Sequence, residues 1–466
     1  MVSRLNVKAV AVIIALVFAL IISIYPLPGQ SEIFSRSAAV VLVTLVFWSS
    51  GFVPPFLASL IFFALVTILG LISPSVVFAG FGSTAVWLII SGFIIGAAIS
   101  QSGLGQKLAT LISPYLTISY SHLIAGLVFS AMALGFIMPS SVGRAVVLVP
   151  IGMALADTIG LKKGSNGRIG IATALAISCN MPSFAVLPAN IPNMILAGSS
   201  ENLLNITFGY TEYLLLHFPI LGIVKSLVVI WLVLRIFPDE VSAPSANKDT
   251  NNESFVSDQK MQKKVGILLA ITLLFWITDT IHGINPAWVG LVTAIILLLP
   301  KWGIVEPKAF NSSVDFATVI FVAGALGLGA LVNESGIGSA LGQLFGHILP
   351  ADQNSSFLSF MALSIISILT GLIATIPGVP TVLTPMAGDF AQITGFSLPA
   401  VIMTQVIGFS TVIFPYQVGP LVVAMQLSKE PLSKLLKITL PLTAITVVVL
   451  MPLDFLWWQL LGWISQ

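Results

Sequence analysis

The sequence predicts an all-α polytopic membrane protein made of two inverted repeats, with about eleven transmembrane helices and two re-entrant helical hairpins. Three observations carry this. Of 466 residues, 57% are hydrophobic and only 8% charged, where a soluble domain carries about 25% charged residues. Apolar runs near the roughly 20 residues that span a bilayer recur from end to end, and they are continuous rather than alternating, as barrel strands would be. A short motif also recurs half a chain length apart.

Crossings are read at 8–25, 37–52, 54–73, 84–101, 169–198, 212–236, 265–282, 286–300, 314–332, 398–425 and 438–463. The first run, ending in "YPLPG", is long for a signal peptide and lacks a small-x-small cleavage pattern, so it reads as a retained span. Segments 120–160 and 355–395 are each an apolar pair broken at the centre by Pro, Gly, Ser or Thr. A pair that enters and leaves on one side adds no crossing.

Lysine and arginine mark cytoplasmic loops. With the N-terminus inside, the inner loops hold Arg4, Lys8, Lys107, Lys162, Lys163, Arg168, Arg235, Lys248, Lys260, Lys263, Lys264, Lys301, Lys308, Lys429, Lys434 and Lys437. Only Arg36 falls outside, and Arg144 and Lys225 fall within the membrane. The expectation is a plasma-membrane protein of bacterial type with a cytoplasmic N-terminus and an outer C-terminus. Cys179 is the single cysteine, which excludes an intrachain disulfide.

"SQSGLGQKL" at 100–108 matches "NESGIGSAL" at 333–341. The polar stretch 238–264 lies near the midpoint and reads as a cytoplasmic linker. The division is then an N-terminal span with its outer loop (1–36), a first repeat (37–237), the linker (238–264) and a second repeat (265–466). An odd number of crossings per repeat turns the second upside down. Inverted repeats with matching broken helices point to a secondary transporter whose site lies near the membrane midplane.

Four interruptions form the candidate site. They are "PSSVGR" (139–144), "LPANIPNMI" (187–195), "ATIPGVPTVLTP" (374–385) and "FPYQVGP" (414–420). Irregular backbone at this depth is tolerated only where protein buries it or a watery cavity meets it. Helix starts there offer free N–H groups and partial positive charge to an anion. Freed carbonyls and side-chain amides suit a cation or an anion's oxygens. Candidate substrate-binding residues are Ser140, Ser141, Gly143, Arg144, Asn190, Pro192, Asn193, Thr375, Gly378, Thr381 and Gln417.

At these residues the chain resembles the divalent anion:sodium symporter family, carriers of di- and tricarboxylates and sulfate. "VFAGFGSTAVWLIISGFIIGAAISQSGLGQKLATLI" (77–112) is similar to that family's entry into its transport domain. "PSSVGRAVVLVP" (139–150) stands where the family has a Ser-Asn-Thr tip followed ten residues on by proline, a spacing that Ser140 and Pro150 keep. The tips here read Ser140-Ser141-Val142 and Thr375-Ile376-Pro377. The broken helices read Ala189-Asn190-Ile191-Pro192-Asn193 and Gln417-Val418-Gly419-Pro420-Leu421. The resemblance implies a scaffold and a transport domain, a homodimer, an elevator-type shift and sodium as coupling ion. It places sodium at Ser140, Ser141, Ala189, Thr375, Gly378 and Gln417. Some carboxylate exchangers of the family carry an Arg where Arg144 stands.

A charge at the bilayer centre costs about 2.5–3.5 kcal/mol on insertion scales, so Arg144 needs a cavity or a partner. A guanidinium fork suits a carboxylate or sulfate oxygen pair; the alternatives are pairing with Asp389 or Asp157, and snorkelling. Lys225, ten residues before Arg235 and so about 15 Å deep, reads as structural or snorkelling. The expected function is sodium-coupled uptake of a small anion, with exchange, or a cation/proton or arsenite-type carrier using Asp389, as the alternatives. His122, His217, His282 and His347 show no metal-ligand spacing, and no nucleophile–base pattern suggests an enzyme. "GALGLGA" (324–330) lacks the Lys-Ser/Thr of a phosphate loop and suits close helix approach.

Overall fold

The computed structural model describes residues 7–104, 107, 118–138, 140–240, 259–346, 349 and 355–464. Pro139, most of the linker (241–258), Arg4, Gly105, Leu108, Lys248 and His347 lie outside the described residues. Within them every regular element is helical and none is a strand. Among the described residues, eight segments are long and apolar enough to cross a membrane.

The chain opens with α1 (Val7–Ile24), α2 (Glu32–Ser50), α3 (Pro55–Ile68) and α4 (Thr84–Ser102). A hairpin follows, α5 (Tyr120–Ile137) and α6 (Ser141–Thr158). Next come α7 (Asn166–Ser178) and α8 (Ile191–Leu204), two halves of one broken helix, and α9 (Tyr210–Ile236). The second half opens with α10 (Gln259–Ile277), α11 (Pro286–Leu298), α12 (Phe316–Glu334) and α13 (Ile337–Gly346). It continues with α14 (Ser356–Leu383), α15 (Ala387–Thr394), the broken pair α16 (Leu398–Phe409) and α17 (Gly419–Ser428), and α18 (Leu432–Leu460). The recurring motif ends corresponding helices in the same way: Gly103 after α4 and Gly336 after α12 both adopt positive φ.

Helix starts leave N–H groups without intrahelical partners, and lipid supplies no acceptor for them. Serine does so here: Ser31, Ser83, Ser119, Ser140, Ser165 and Ser397 each accept a backbone N–H from the first turn of the helix they precede.

Both hairpins double back. A Cβ on Gly152 would lie 3.6 Å from Leu127, on the opposite limb of α5–α6. In α14 the turn falls at Thr375, whose φ of 61° and ψ of 168° leave the helical region. A Cβ on Gly371 would lie 3.3 Å from Val379, far closer than two positions eight residues apart on a straight helix, about 12 Å. Ser367 and Thr384, on opposite limbs, both reach Gln405 of α16, at 3.0 and 3.3 Å.

The halves brace each other crosswise. The first hairpin packs on α7 and the second on α16, while α8 lies against α14 and α17 against α6. Each broken helix therefore touches its own hairpin with one half and the opposite hairpin with the other.

The first break differs from its predicted place. The sequence put it at 187–195; the structure opens the helix at 179–190, through short turns at Pro182–Ala185 and Leu187–Ala189. Pro192 sits in the first turn of α8, where a missing N–H costs nothing, so it starts a helix rather than breaking one. Pro420 does the same for α17.

Gly408 marks the closest approach of α14 and α16, since a Cβ there would lie 2.0 Å from Ser367 Oγ. Gly408→Val should destabilise the protein by about 1–3 kcal/mol, read as a lower melting temperature in detergent beside an unchanged Gly388→Ala control, whose Cβ meets open space.

Candidate functional site

All four interruptions meet around one cavity of about 280 Å³. The first tip supplies Ser140, Ser141 and Val142, and the second supplies Ile376 and Pro377. The first break contributes Asn180, Phe184, Asn190 and Pro192, and the second Gln417, Val418, Gly419 and Pro420. Ile89, Gly92 and Phe93 of α4 close one wall, and Asp315 and Thr318 stand on another.

The N-cap residues of four helices line this space: Ser140 for α6, Asn190 for α8, Val418 for α17 and Asp315 for α12. The starts of α6, α8 and α17 each carry about half a positive charge, and such starts hold anions; that of α12 is offset by the Asp315 carboxylate that caps it. Among the described residues no lysine, arginine or histidine lines the cavity, so the backbone supplies its positive potential. Asp315 is already engaged: Oδ1 accepts from the Ala317 and Thr318 N–H groups at 3.1 and 3.3 Å, and Oδ2 from the Thr318 hydroxyl at 2.7 Å.

Arg144 lies behind this wall, fully buried and outside the cavity lining. Nε donates to the Cys179 carbonyl at 2.9 Å, Nη1 to the Met138 carbonyl, and both terminal nitrogens to the Ala189 carbonyl at 3.3 Å. Nη2 also donates to Ser141 Oγ at 2.9 Å and to Ser183 Oγ. The guanidinium thus pins the hairpin tip to both edges of the first break. It pairs with neither carboxylate weighed from sequence: Asp157 holds Arg168, and Asp389 packs on α13 at Gly342. Nor does it snorkel. Its charge reaches the cavity through Ser141, whose hydroxyl donates to Asn190 Oδ1.

The other expected residues divide. Ser140, Ser141, Asn190, Pro192 and Gln417 line the cavity. Asn190 Nδ2 donates to the Asn180 carbonyl and Ser183 Oγ at 3.1 and 2.7 Å. Gln417 bridges the second break to the second hairpin, donating to the Gly371 carbonyl at 2.9 Å and accepting from the Ile413 and Phe414 N–H groups. Gly143, Asn193, Thr375, Gly378, Thr381 and Ala189 do not line it. Asn193 donates to the Val186 carbonyl, Thr381 sits on the Pro377 carbonyl, Gly378 packs on Ala374, and Ala189 offers its carbonyl to Arg144. Asn180, Asp315 and Thr318 were not expected. An amide in the apolar run before Pro182 was a readable signal for Asn180; nothing local marked Asp315 as more than a helix cap.

A polytopic helical protein with two hairpins, two broken helices and one cavity at their junction has the build of a membrane transport protein. Residues 6–464 match the sodium:sulfate symporter transmembrane region family, and the chain belongs to it. It is a transporter rather than an enzyme. The chain is 23% identical over 346 residues to the putative malate transporter YflS of Bacillus subtilis, covering 69% of this chain and 70% of that one. It is 26% identical over 279 residues to dicarboxylate transporter 2.2 of Arabidopsis thaliana chloroplasts, covering 54% and 48%. Its fold is similar to that of Neisseria gonorrhoeae MtrF, from a class described as antimetabolite efflux pumps (TM-score 0.54, 15% identity, 98% of this chain and 96% of that one).

Arg144→Ala would strand three buried carbonyls, each unsatisfied group costing about 1–3 kcal/mol. The variant should melt well below wild type and lose transport. Ser140→Ala, which removes only the cap to Gly143 at 3.1 Å, should cost about 1 kcal/mol. Differential scanning fluorimetry of both variants checks the order.

Proposed function

We propose that the protein is a secondary transporter of a small dicarboxylate, held in the cavity between the hairpin tips. The convergence of three helix N-termini with uncharged caps, those of α6, α8 and α17, on one cavity carries this reading. The volume lies just below the range for small-molecule sites, about 300–1,000 Å³, which fits a compact anion. Hydroxyls of Ser140, Ser141 and Thr318 and the amide of Gln417 flank the N-termini. The names of two relatives, a malate and a dicarboxylate transporter, support a C4 acid over sulfate.

The two halves are inverted repeats in this reading, and the hairpins with the broken helices move as one body in an elevator-type shift. The crosswise bracing of α8 and α17 supports this, since it ties both hairpins and both breaks into one unit. A homodimer in the plasma membrane, N-terminus inside and C-terminus outside, completes the proposal. Sodium is the coupling ion, bound in the second half near Thr375, Gly378 and Gln417.

Arg144 favours a second reading. Its guanidinium takes the Met138, Cys179 and Ala189 carbonyls that would otherwise face a cation in the first half. A fixed charge there needs no ion, which favours exchange of one anion for another.

In a thermal-shift screen, malate and succinate should stabilise the purified protein, by about 2.7 kcal/mol at a hundredfold excess over Kd, and sulfate less. Gln417→Ala should abolish the shift. Malate uptake into empty vesicles that rises with external sodium supports symport; uptake only into vesicles preloaded with dicarboxylate supports exchange. No shift with any dicarboxylate would overturn the substrate assignment.

A further inference from the structure

A second buried polar cluster lies away from the cavity, where α9 and α18 meet. Each of these spans contains a π-helical segment, Phe218–Val224 and Thr446–Leu450, and the two segments pack on one another. Such segments are rare and are frequent at functional sites. Lys225 immediately follows the first, and Asp454 comes four residues after the second.

Lys225 is 1% exposed and Asp454 0%. Lys225 does not snorkel: Nζ donates to the Ser410 carbonyl at 2.8 Å and reaches Ser410 Oγ at 3.5 Å. Ser410 is the C-cap of α16, at the entrance to the second break. Asp454 lies within electrostatic range of Lys225 and beside the Trp458 indole. No direct ion pair joins them among the described residues, and neither carboxylate oxygen accepts a well-formed hydrogen bond. A pair serving only stability would close to contact and fill those oxygens.

The surroundings hold few other titratable groups. From α9, His217 stands edge-on to Trp458 and Tyr213, its Nε2 3.3 Å from Met403 Sδ and its Nδ1 without a partner. α14 and α16 carry none. Lys434 and Lys437 sit in the first two turns of α18, and Tyr120 and His122 of α5 and Arg168 of α7 in the first turns of theirs.

We propose that Asp454 and Lys225 form a proton-binding site, separate from the anion cavity and coupled to it through Ser410 and the second break. A carboxylate without donors is costly to keep ionised away from water. It takes one proton from the aqueous phase to become the acid, and gives it back on the side then open; no other bond changes. With Asp454 neutral, Lys225 keeps only the Ser410 carbonyl and the negative end of α16. The break that begins at Ser410 runs on to Gln417 on the cavity wall, so proton and anion occupancy affect each other reciprocally. This rests on the chain being a transporter and not on which anion it carries.

The test uses the full-length protein in lipid vesicles. Infrared difference spectra between alkaline and acidic buffer should show a protonated-carboxyl band that is absent in Asp454→Asn. An inward proton gradient at fixed sodium should stimulate malate uptake several-fold in wild type and not in Asp454→Asn, while malate counterflow at equal pH persists in both. Should Asp454→Asn fail to fold, Lys225→Met/Asp454→Leu removes both charges and should fold without band or stimulation. A band or gradient response unchanged in either folded variant would overturn the proposal. If wild type carries no malate, the dicarboxylate reading fails but the infrared arm still decides, because absence of an Asp454-dependent band overturns the proton site by itself.

Discussion

The architecture depends on one constraint: backbone groups freed by a broken helix at membrane depth must find partners. Two breaks, at 179–190 and 410–418, expose carbonyls and amides far from bulk water. In the first, Arg144 meets this demand, one guanidinium capping the Met138, Cys179 and Ala189 carbonyls. In the second, Gln417 and Lys225 share it, Gln417 accepting from the Ile413 and Phe414 N–H groups and Lys225 donating to the Ser410 carbonyl. The same side chains that make the breaks tolerable also fix the hairpin tips beside them. Stability and site geometry therefore rest on the same few polar groups.

In the proposed anion site, this arrangement changes how the ligand would be held. A basic side chain in the cavity would bind an anion tightly through direct charge. Here the starts of α6, α8 and α17 supply a diffuse positive potential, and the Arg144 guanidinium stands one hydroxyl back, behind Ser141. Backbone dipoles do not reorganise when the ligand leaves, so binding and release differ little in structural cost. A carrier must release its cargo on each cycle, and a moderate, pre-set field suits that need.

The halves are alike in plan and unlike in chemistry. Both have a hairpin, a broken helix and a span with a π-helical segment. The first tip is serine-rich and backed by a guanidinium; the second turns at Thr375 in a left-handed conformation and is closed by an amide. Asn190 and Gln417, one from each break, both line the cavity. That asymmetry is where coupling and substrate choice have room to differ between halves.

Composition and run length alone determined that the chain is a helical membrane protein, because lipid admits few other solutions for backbone polarity. The punctuation by proline, glycine and serine marked that helices break, though the first opens at 179–190 rather than 187–195, and five of the eleven residues expected to touch substrate line the cavity. Their side chains or N-termini project from a break, a local property. What the sequence left open was direction. Arg144 is one helical turn from Ser140, yet it turns away into carbonyls contributed 35 and 45 residues later. Asn193 and Thr381 likewise face backbone rather than space. Asp315 reaches the cavity, and Lys225 approaches Asp454 across half the chain, only because distant helices pack there. Spacing along a chain fixes which neighbours share a helix face; which face meets the cavity is set by contacts between segments that no local pattern encodes.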